Sequence, residues 1–416
     1  MQHSALVAEL GKTFVTEMAV SIAESAENTS ELIKVADRHI KDSVRYSLWG
    51  RSACRCQFDG CNELVWKSNL TQEDVNLAEA AHIYSFNSGG ARGNDGIDAD
   101  KINSADNLLL ACRRCHKTID NNPMGTRYSI ELLQSWKREH ESRVELVTGI
   151  KPNKTSHVLL YGAAIGNVET SVDFQEAASA LFPRRFPARR EPLELGNINF
   201  AERDHEPNFW SVHRGHLEKR FRQRVAERIE DKDIGHLSVF AIAPQPLLIL
   251  LGSLLVDLVD VDVYQRHREP SPSWSWPDAS STVDFVVRPP AKPDASRTPA
   301  LLLSLSAPID SQRITSVIGD DLDLWEVTVN QPHNDLIKSP ADLSAFRATV
   351  RPLIDQLKMI YGQATPLHVF PVASVSCNVE LGRVRMPKAH QPWIIYDHNN
   401  RLGGFVQALQ IGETHV

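Results

Sequence analysis

Four cysteines in two close pairs, Cys56-x4-Cys61 and Cys112-x2-Cys115, constrain this chain more than any other feature. Thiol pairs at these spacings suit a tetrahedral zinc ion, which lets a short segment fold without a large hydrophobic core. Cys54 offers an alternative first ligand. Cys56 is preferred, because Gln57-Phe58-Asp59-Gly60 makes a compact turn before Cys61. Only Cys54 and Cys377 remain outside the pairs, far apart in sequence. That usage fits a reducing compartment better than an oxidised, secreted scaffold.

A second set of residues is threaded through the cysteine frame. Ala80-Ala81-His82-Ile83 follows the first pair, Asp106-Asn107-Leu108-Leu109-Leu110 leads into the second, and His116-x3-Asp120 follows Cys115. His116 and Asp120 are i and i+4, so on a helix they share one face and are placed to grip one metal ion. Hydrolysis of a phosphodiester needs an activated water and stabilisation of charge on the phosphate and on the leaving oxygen. A neutral imidazole can take the proton, and one divalent metal can do the rest.

Residues 56–120 resemble the HNH (ββα-metal) nucleases in the order and spacing of these groups. The resemblance implies a zinc-stabilised α+β ββα-metal domain with Cys56, Cys61, Cys112 and Cys115 on the structural Zn²⁺. It makes His82 the general base, gives the Asn107 carboxamide the task of orienting the His82 ring, and makes His116 a ligand of catalytic Mg²⁺. Asp120 is the second candidate ligand. Many members carry a metal ligand directly before the first histidine, where this chain has Ala81. Glu79, on the same strand face, is the candidate replacement.

The chain has 416 residues, 42% of them hydrophobic and 23% charged, as expected of a globular protein of two or three domains. Its net charge of −7 argues against a protein that coats nucleic acid, so a surface for double-stranded DNA must be local. Residues 113–143 hold seven Lys/Arg against four Asp/Glu, a basic strip beside the proposed centre. The clusters at Arg184–Arg190 and Lys219–Arg228 lie outside it, and the latter reads as a solvated helix face. No apolar run approaches the roughly 20 residues that span a bilayer, and Met1–Val20 lacks a basic n-region. A cytoplasmic location is expected.

Residues 1–50 read as an N-terminal helical segment, with Leu32, Ile33, Val35, Ala36, Ile40 and Val44 in helical period, and 51–148 as the metal-framed domain. The polar, breaker-rich residues 149–156 form a linker. From 157 to 416 strands alternate with helices, which predicts an α/β domain. The order appears twice: Phe240-Ala241-Ile242-Ala243-Pro244…Val263-Tyr264 is echoed by Val369-Phe370-Pro371-Val372…Ile395-Tyr396. Two halves of about 157–290 and 300–416 are therefore expected, with a cleft between them.

This region resembles the SAVED domain, a sensor made of two fused CARF-like (Rossmann-like) halves. The resemblance rests on Leu237–Gly252, on Val263-Tyr264-Gln265 with Trp274-Ser275-Trp276, and on Phe370–Val384 with Met386-Pro387-Lys388 and Trp393–Asp397. Joined to the HNH module, it matches the HNH–SAVED effector nucleases of bacterial CBASS anti-phage systems. It implies a cyclic di- or trinucleotide activator and a resting dimer or monomer that assembles, expected to a tetramer, when the activator binds. Stacking of bases and binding of phosphates single out Tyr264, Arg266, Trp274, Trp276 and Lys388, the two tryptophans being expected exposed in a Pro/Ser loop. An alternative keeps the nuclease but makes the C-terminal region a reader of modified DNA, as in modification-dependent restriction enzymes. A degenerate HNH fold that only holds DNA is a second alternative, opposed by the intact His82, Asn107 and His116.

Overall fold

The computed structural model describes residues 39–122, 126–196, 202–256, 259–277 and 282–412. The chain divides into two compact units, Met1–Gly149 and Ile150–Val416. Of the N-terminal segment, Leu32, Ile33, Val35 and Ala36 lie outside the described residues. Its end forms helix α1 (Asp42–Arg51), whose Leu48 is buried in the core of the metal-framed unit, with Val44 and Trp49 packed against it. The helix therefore belongs to that unit and does not stand as a separate segment.

The first unit is built on an antiparallel pair, β1 (Ala78–His82) and β2 (Leu108–Cys112), with His82 paired to Leu108. All five β2 residues are buried, as the unbroken Leu-Leu-Leu-Ala-Cys run requires. Helix α2 (Arg113–Asp120) follows without a loop and buries Cys115 and Ile119. Helix α3 (Ile130–Thr148) starts at Ser129, whose hydroxyl accepts the Leu132 N–H, and it buries Leu133. Gln57 acts as an extra rung on β2: its N–H donates to Leu110 O and its Oε1 accepts Leu110 N–H, both at 2.8 Å. The first cysteine turn is thereby fixed to the second strand.

In the second unit, β3 (Thr155–Gly162) pairs in parallel with β4 (Phe186–Pro187), β5 (Leu193–Glu194) and β6 (His236–Ile242), and β6 with β7 (Asp260–Val263). Helix α4 (Phe174–Ala180) follows β3. The basic cluster Lys219–Arg228 lies on a helix that starts as α5 (Phe209–Phe221) and continues through a π-helical turn at Arg222–Ala226 into α6 (Glu227–Glu230). Helix α7 (Gln245–Leu254) joins β6 to β7.

The second sheet has the order β13-β12-β11-β9-β10-β8. Its strands are β8 (Val286–Arg288), β9 (Thr298–Ser304), β10 (Leu322–Thr328), β11 (Leu367–Val372), β12 (Trp393–Asn399) and β13 (Gly404–Ile411). The four inner strands are parallel, and β8 and β13 close the edges antiparallel. The first half is expected to run to about residue 290, but β8 pairs with β10 of the second sheet. The polar stretch before it is thus the connection between halves, and the first half ends earlier than residue 290. Helices α8 (Gln312–Ile318), α9 (Pro340–Tyr361) and α10 (Val375–Val384) complete the half. Ser339 and Asp342 form a reciprocal capping box at the start of α9, with Pro340 next to the cap.

The two halves share one core, which runs from Leu159 and Val239 through α7 and α10 to Val369 and Trp393. At its centre α7 meets α10 through two glycines. A Cβ on Gly252 would lie 2.0 Å from Val379 O, and one on Gly382 would lie 2.0 Å from Ile249 O. Only glycine permits this approach of two helix backbones. The helices run the same way, since Gln245 meets Ala373 and Asn378 at one end while Gly252 meets Gly382 at the other. The carboxyl ends of both sets of parallel strands therefore face the same side, where open α/β sheets bind ligands.

Candidate functional site

The four thiols at the base of the first unit come together as the spacing requires. Their sulfur atoms all lie within 4.8 Å of one another, and Cys61 Sγ is 4.0 Å from Cys112 Sγ. Four sulfurs about 2.3 Å from a tetrahedral ion sit roughly 3.8 Å apart, so the set fits such an ion. Burial pushes the Cys56 thiol up to about 12 and raises that of Cys115 as well. Thiolates at Cys56 and Cys115 are hard to sustain without a cation, and a bound metal ion reverses that penalty. Cys56 Sγ also accepts the Cys112 N–H at 3.3 Å. Cys54, the alternative ligand, is not in the cluster.

His82, Asn107, His116 and Asp120 occupy the end of β1, the start of β2 and one face of α2. Asn107 does not reach the His82 ring. It is buried, and its carboxamide is spent on backbone: Oδ1 accepts Tyr84 N–H at 2.8 Å, and Nδ2 donates to Ile102 O at 2.8 Å and to Tyr84 O at 3.3 Å. It clamps the loop between the strands. The carboxamide on the imidazole belongs to Asn103, whose Oδ1 lies 2.9 Å from His82 Nε2. Arg92 holds the same segment from behind, donating to His82 O at 2.9 Å and Ile83 O at 2.7 Å. Burial lowers the pKa of His82 below the ordinary imidazole value, against the opposing pull of Asn103. A neutral ring with a free lone pair near pH 7 is what a general base requires.

On α2, His116 sits between two carboxylates. Glu79 Oε2 lies 2.6 Å from Nδ1, and Asp120 Oδ2 is 3.6 Å from Nε2. Glu79 was expected to replace the ligand missing at Ala81. It is instead committed to His116 Nδ1, while Ala81 is buried in the core. By accepting the Nδ1 proton, Glu79 leaves the Nε2 lone pair facing Asp120. This is the carboxylate–histidine arrangement that orients a metal ligand. Thus His116 Nε2 and Asp120 are the residues that would hold a divalent ion. Neither Asn103 nor the role of Glu79 was found from sequence. Asn103 lies in the polar run Lys101–Asp106, where no spacing marks it.

Elsewhere on α2, Arg114, Lys117, Thr118, Asn121, Arg127 and Tyr128 line a cavity of about 460 Å³. The basic strip thus has three cations converging on one groove, with the Arg127 guanidinium 5.6 Å from the centre of the Tyr128 ring.

In the second unit the aromatic candidates are largely internal. Tyr264 is 1% exposed and stacks on Phe240 at 4.4 Å, and Trp274 is 2% exposed and edge-on to Phe240 at 5.2 Å. The expectation of an exposed Trp274 is therefore corrected: the Pro/Ser loop folds back over the sheet because its aromatics complete a core cluster with Leu160 and Ala177. Arg266 covers Trp274 at 5.4 Å and pairs with Glu176 at 2.7 Å. Trp276 is half-buried, against Tyr264 and His267. Lys388 does not join them. It follows α10 and lies in a cavity with Leu250, Ser253 and Leu254 from the end of α7, at the opposite end of the helix pair.

At the carboxyl ends of the strands a polar set links the halves. Gln265 Oε1 accepts the Ser376 hydroxyl at 2.6 Å, and Gln245 Oε1 accepts Ala373 N–H and Asn378 Nδ2–H, each at 2.9 Å. Their positions in Ala243-Pro244-Gln245 and Ala373-Ser374-Val375-Ser376, just after matching strands, were the overlooked signal.

Two family models match the chain: HNH endonuclease over residues 56–124, and the SMODS-associated and fused to various effectors sensor domain, SAVED, over residues 217–411. The chain is therefore an HNH nuclease domain followed by a SAVED sensor domain. It has the architecture of the HNH–SAVED effectors. Among solved structures it is similar to the Cap4 SAVED/CARF-domain containing receptor of Acinetobacter baumannii with the cyclic trinucleotide 2′3′3′-cAAA, at 11% identity and a TM-score of 0.41, covering 77% of this chain and 63% of that one. The Moraxella osloensis Cap4 receptor is similar at 9% identity and a TM-score of 0.35, covering 77% of this chain and 71% of that one. This chain spans less than two thirds of the length of the Acinetobacter receptor chains it matches. No curated protein matches the sequence.

Proposed function

We propose that this chain is a cyclic-oligonucleotide-activated, metal-dependent endonuclease that degrades double-stranded DNA in a CBASS-type anti-phage system. The observation that carries the reading is the clustering of His82, held by Asn103, with the carboxylate-flanked His116–Asp120 pair. His82, neutral and held through Nε2 by Asn103, takes the proton of the attacking water. His116 Nε2 and Asp120 would hold Mg²⁺, which when bound would supply charge neutralisation at the phosphate and the leaving 3′ oxygen. Glu79 keeps His116 in its ligating tautomer. Arg114, Lys117 and Arg127 position the DNA backbone. Zn²⁺ on the four cysteines holds the first turn of the unit against the start of α2.

The SAVED domain takes the activator, a cyclic di- or trinucleotide, at the carboxyl ends of the strands, where the Gln245–Asn378 and Gln265–Ser376 contacts join the halves. A ligand that grips both halves favours one arrangement of them, and so shifts the equilibrium toward the active assembly. Plasmid cleavage with Mg²⁺, screened against a panel of cyclic di- and trinucleotides, tests the reading. Cleavage that appears with one or two of them and vanishes in His82→Ala is expected, together with a rise in mass by light scattering. Cleavage of modified DNA with no small molecule would instead make the second domain a DNA reader.

A further inference from the structure

The cavity at the far end of the helix pair has the chemistry of a binding site of its own. Its volume is about 510 Å³, within the range of small-molecule pockets. Leu250, Leu254, Pro387, Pro392 and Ile411 form its apolar walls, and Arg214, Arg385 and Lys388 bring three cations to it. The charges are unequally matched. Arg214 is neutralised by Glu218 at 2.9 Å and also donates to Gln410 O. His390 is committed to Asp355 and to the Met386 N–H. Among the described residues, neither Arg385 nor Lys388 has a carboxylate within 4.0 Å.

Arg385 is the unusual member. It is 3% exposed, and among the described residues its Nε has no hydrogen-bond partner and its one side-chain hydrogen bond runs from Nη2 to Gln391 O at 3.3 Å. Burial of a guanidinium without an anion is costly, and the Trp393 ring, 6.0 Å away, offsets it only in part. The surroundings repeat the pattern. The Gln391 amide and Trp393 Nε1, both in residues that are 0% exposed, are likewise without partners. So many unmatched polar atoms around one buried cation are exceptional, since buried polar groups are normally hydrogen-bonded. The cation also does more than cap α10, because its Nη2 is packed against Gly412 on the cavity wall.

We propose that this cavity is a second ligand site that takes a phosphate monoester of mononucleotide size. A phosphate monoester carries about −1.5 to −2 charges at pH 7, matching Arg385 and Lys388, which have no carboxylate partner among the described residues, and offers three strong acceptor oxygens. The apolar walls suit a base or sugar better than a bare ion. The site lies at the helix ends remote from Gln245 and Gln265, so it is separate from the activator cleft and does not depend on the nuclease reading.

Equilibrium dialysis of the full chain with AMP, GMP, CMP and UMP tests the assignment. At least one should bind at one per chain, be displaced by inorganic phosphate, and bind at least tenfold more tightly than its nucleoside. Lys388→Ala, at an exposed position, should weaken binding at least tenfold with an unchanged melting temperature, and Arg385→Gln should weaken it further. A saturating cyclic trinucleotide should leave it unaffected. The proposal fails if no mononucleotide binds, if Lys388→Ala binds as tightly as the parent, or if the cyclic trinucleotide competes. Displacement by a short DNA duplex bearing only internal phosphodiesters would reassign the cavity to nucleic-acid backbone and overturn it too.

Discussion

Asn103 Oδ1 lies 2.9 Å from His82 Nε2, while Asn107, the residue whose motif position suggests that contact, is bonded only to backbone. The two asparagines should therefore fail differently. His82→Ala should lower cleavage by about 10²–10⁴-fold, as loss of a general base does. Asn103→Ala should remove about 1 kcal/mol of orientation, roughly a fivefold fall in kcat, with stability unchanged. Asn107→Ala leaves buried backbone groups without partners and should cost about 1–3 kcal/mol of stability in the nuclease domain. Thermal unfolding beside cleavage kinetics separates them, and an unstable Asn103→Ala would contradict the assignment.

In the proposed centre Glu79 acts on the metal through His116. Glu79→Gln should weaken Mg²⁺ activation by roughly 10–100-fold, as loss of a ligand's hydrogen-bond partner does, while leaving saturated activity closer to the parent. Cleavage titrated with Mg²⁺ reads this directly. An unchanged Mg²⁺ requirement would mean that the 2.6 Å contact does not orient the ring.

The four cysteines should bind one Zn²⁺ per chain by elemental analysis. A strong chelator, or Cys112→Ser, should unfold the first unit, whose core is small and built around Cys56, Cys112 and Cys115. Domain-resolved melting should show the second unit's transition unmoved. Survival of the first unit's fold without metal would refute a structural role.

Gly382→Ala places a methyl group 2.0 Å from Ile249 O, on backbone that cannot turn aside. The α7–α10 contact should open at a cost of about 1–3 kcal/mol, and activator binding across the halves should weaken with it. Calorimetry of the variant checks both.

Asp397, 9% exposed, has its carboxyl pushed up to about 7 by burial and by neighbouring Asp204. A raised acid pKa means that the folded state holds a proton the unfolded chain has lost. The favourable contribution is complete below the ordinary value of 3.8 and is lost as pH rises to about 7, with a slope of at most about 1.4 kcal/mol per pH unit. Asp397→Asn should flatten that fall and leave the variant the more stable at pH 8. Parallel stability–pH curves for parent and variant would contradict it.

Much of this was legible from residue order. Ligand spacing put Cys56, Cys61, Cys112 and Cys115 together, and i,i+4 placement put His116 and Asp120 on one face. Hydrophobic period found most strands of the second unit. What failed was long-range pairing. The first half is expected to run to about residue 290, yet the ladder of Val286–Arg288 to β10 puts that strand in the second. Trp274 sits among prolines and serines, a surface composition, yet the sheet it folds over offers Phe240 and Tyr264.

The sequence by itself determined the chemistry available: a tetrahedral thiol set, a histidine at the end of the first strand, a histidine–aspartate pair, and two α/β halves in tandem. Those depend on local spacing and periodicity, which are properties of the chain. Tertiary structure alone decided who serves whom: that Asn103 rather than Asn107 holds His82, that Glu79 serves His116, and that Arg385 and Lys388 face a cavity of their own. Such contacts join residues whose separation along the chain carries no period, so they exist only once packing has brought the segments together.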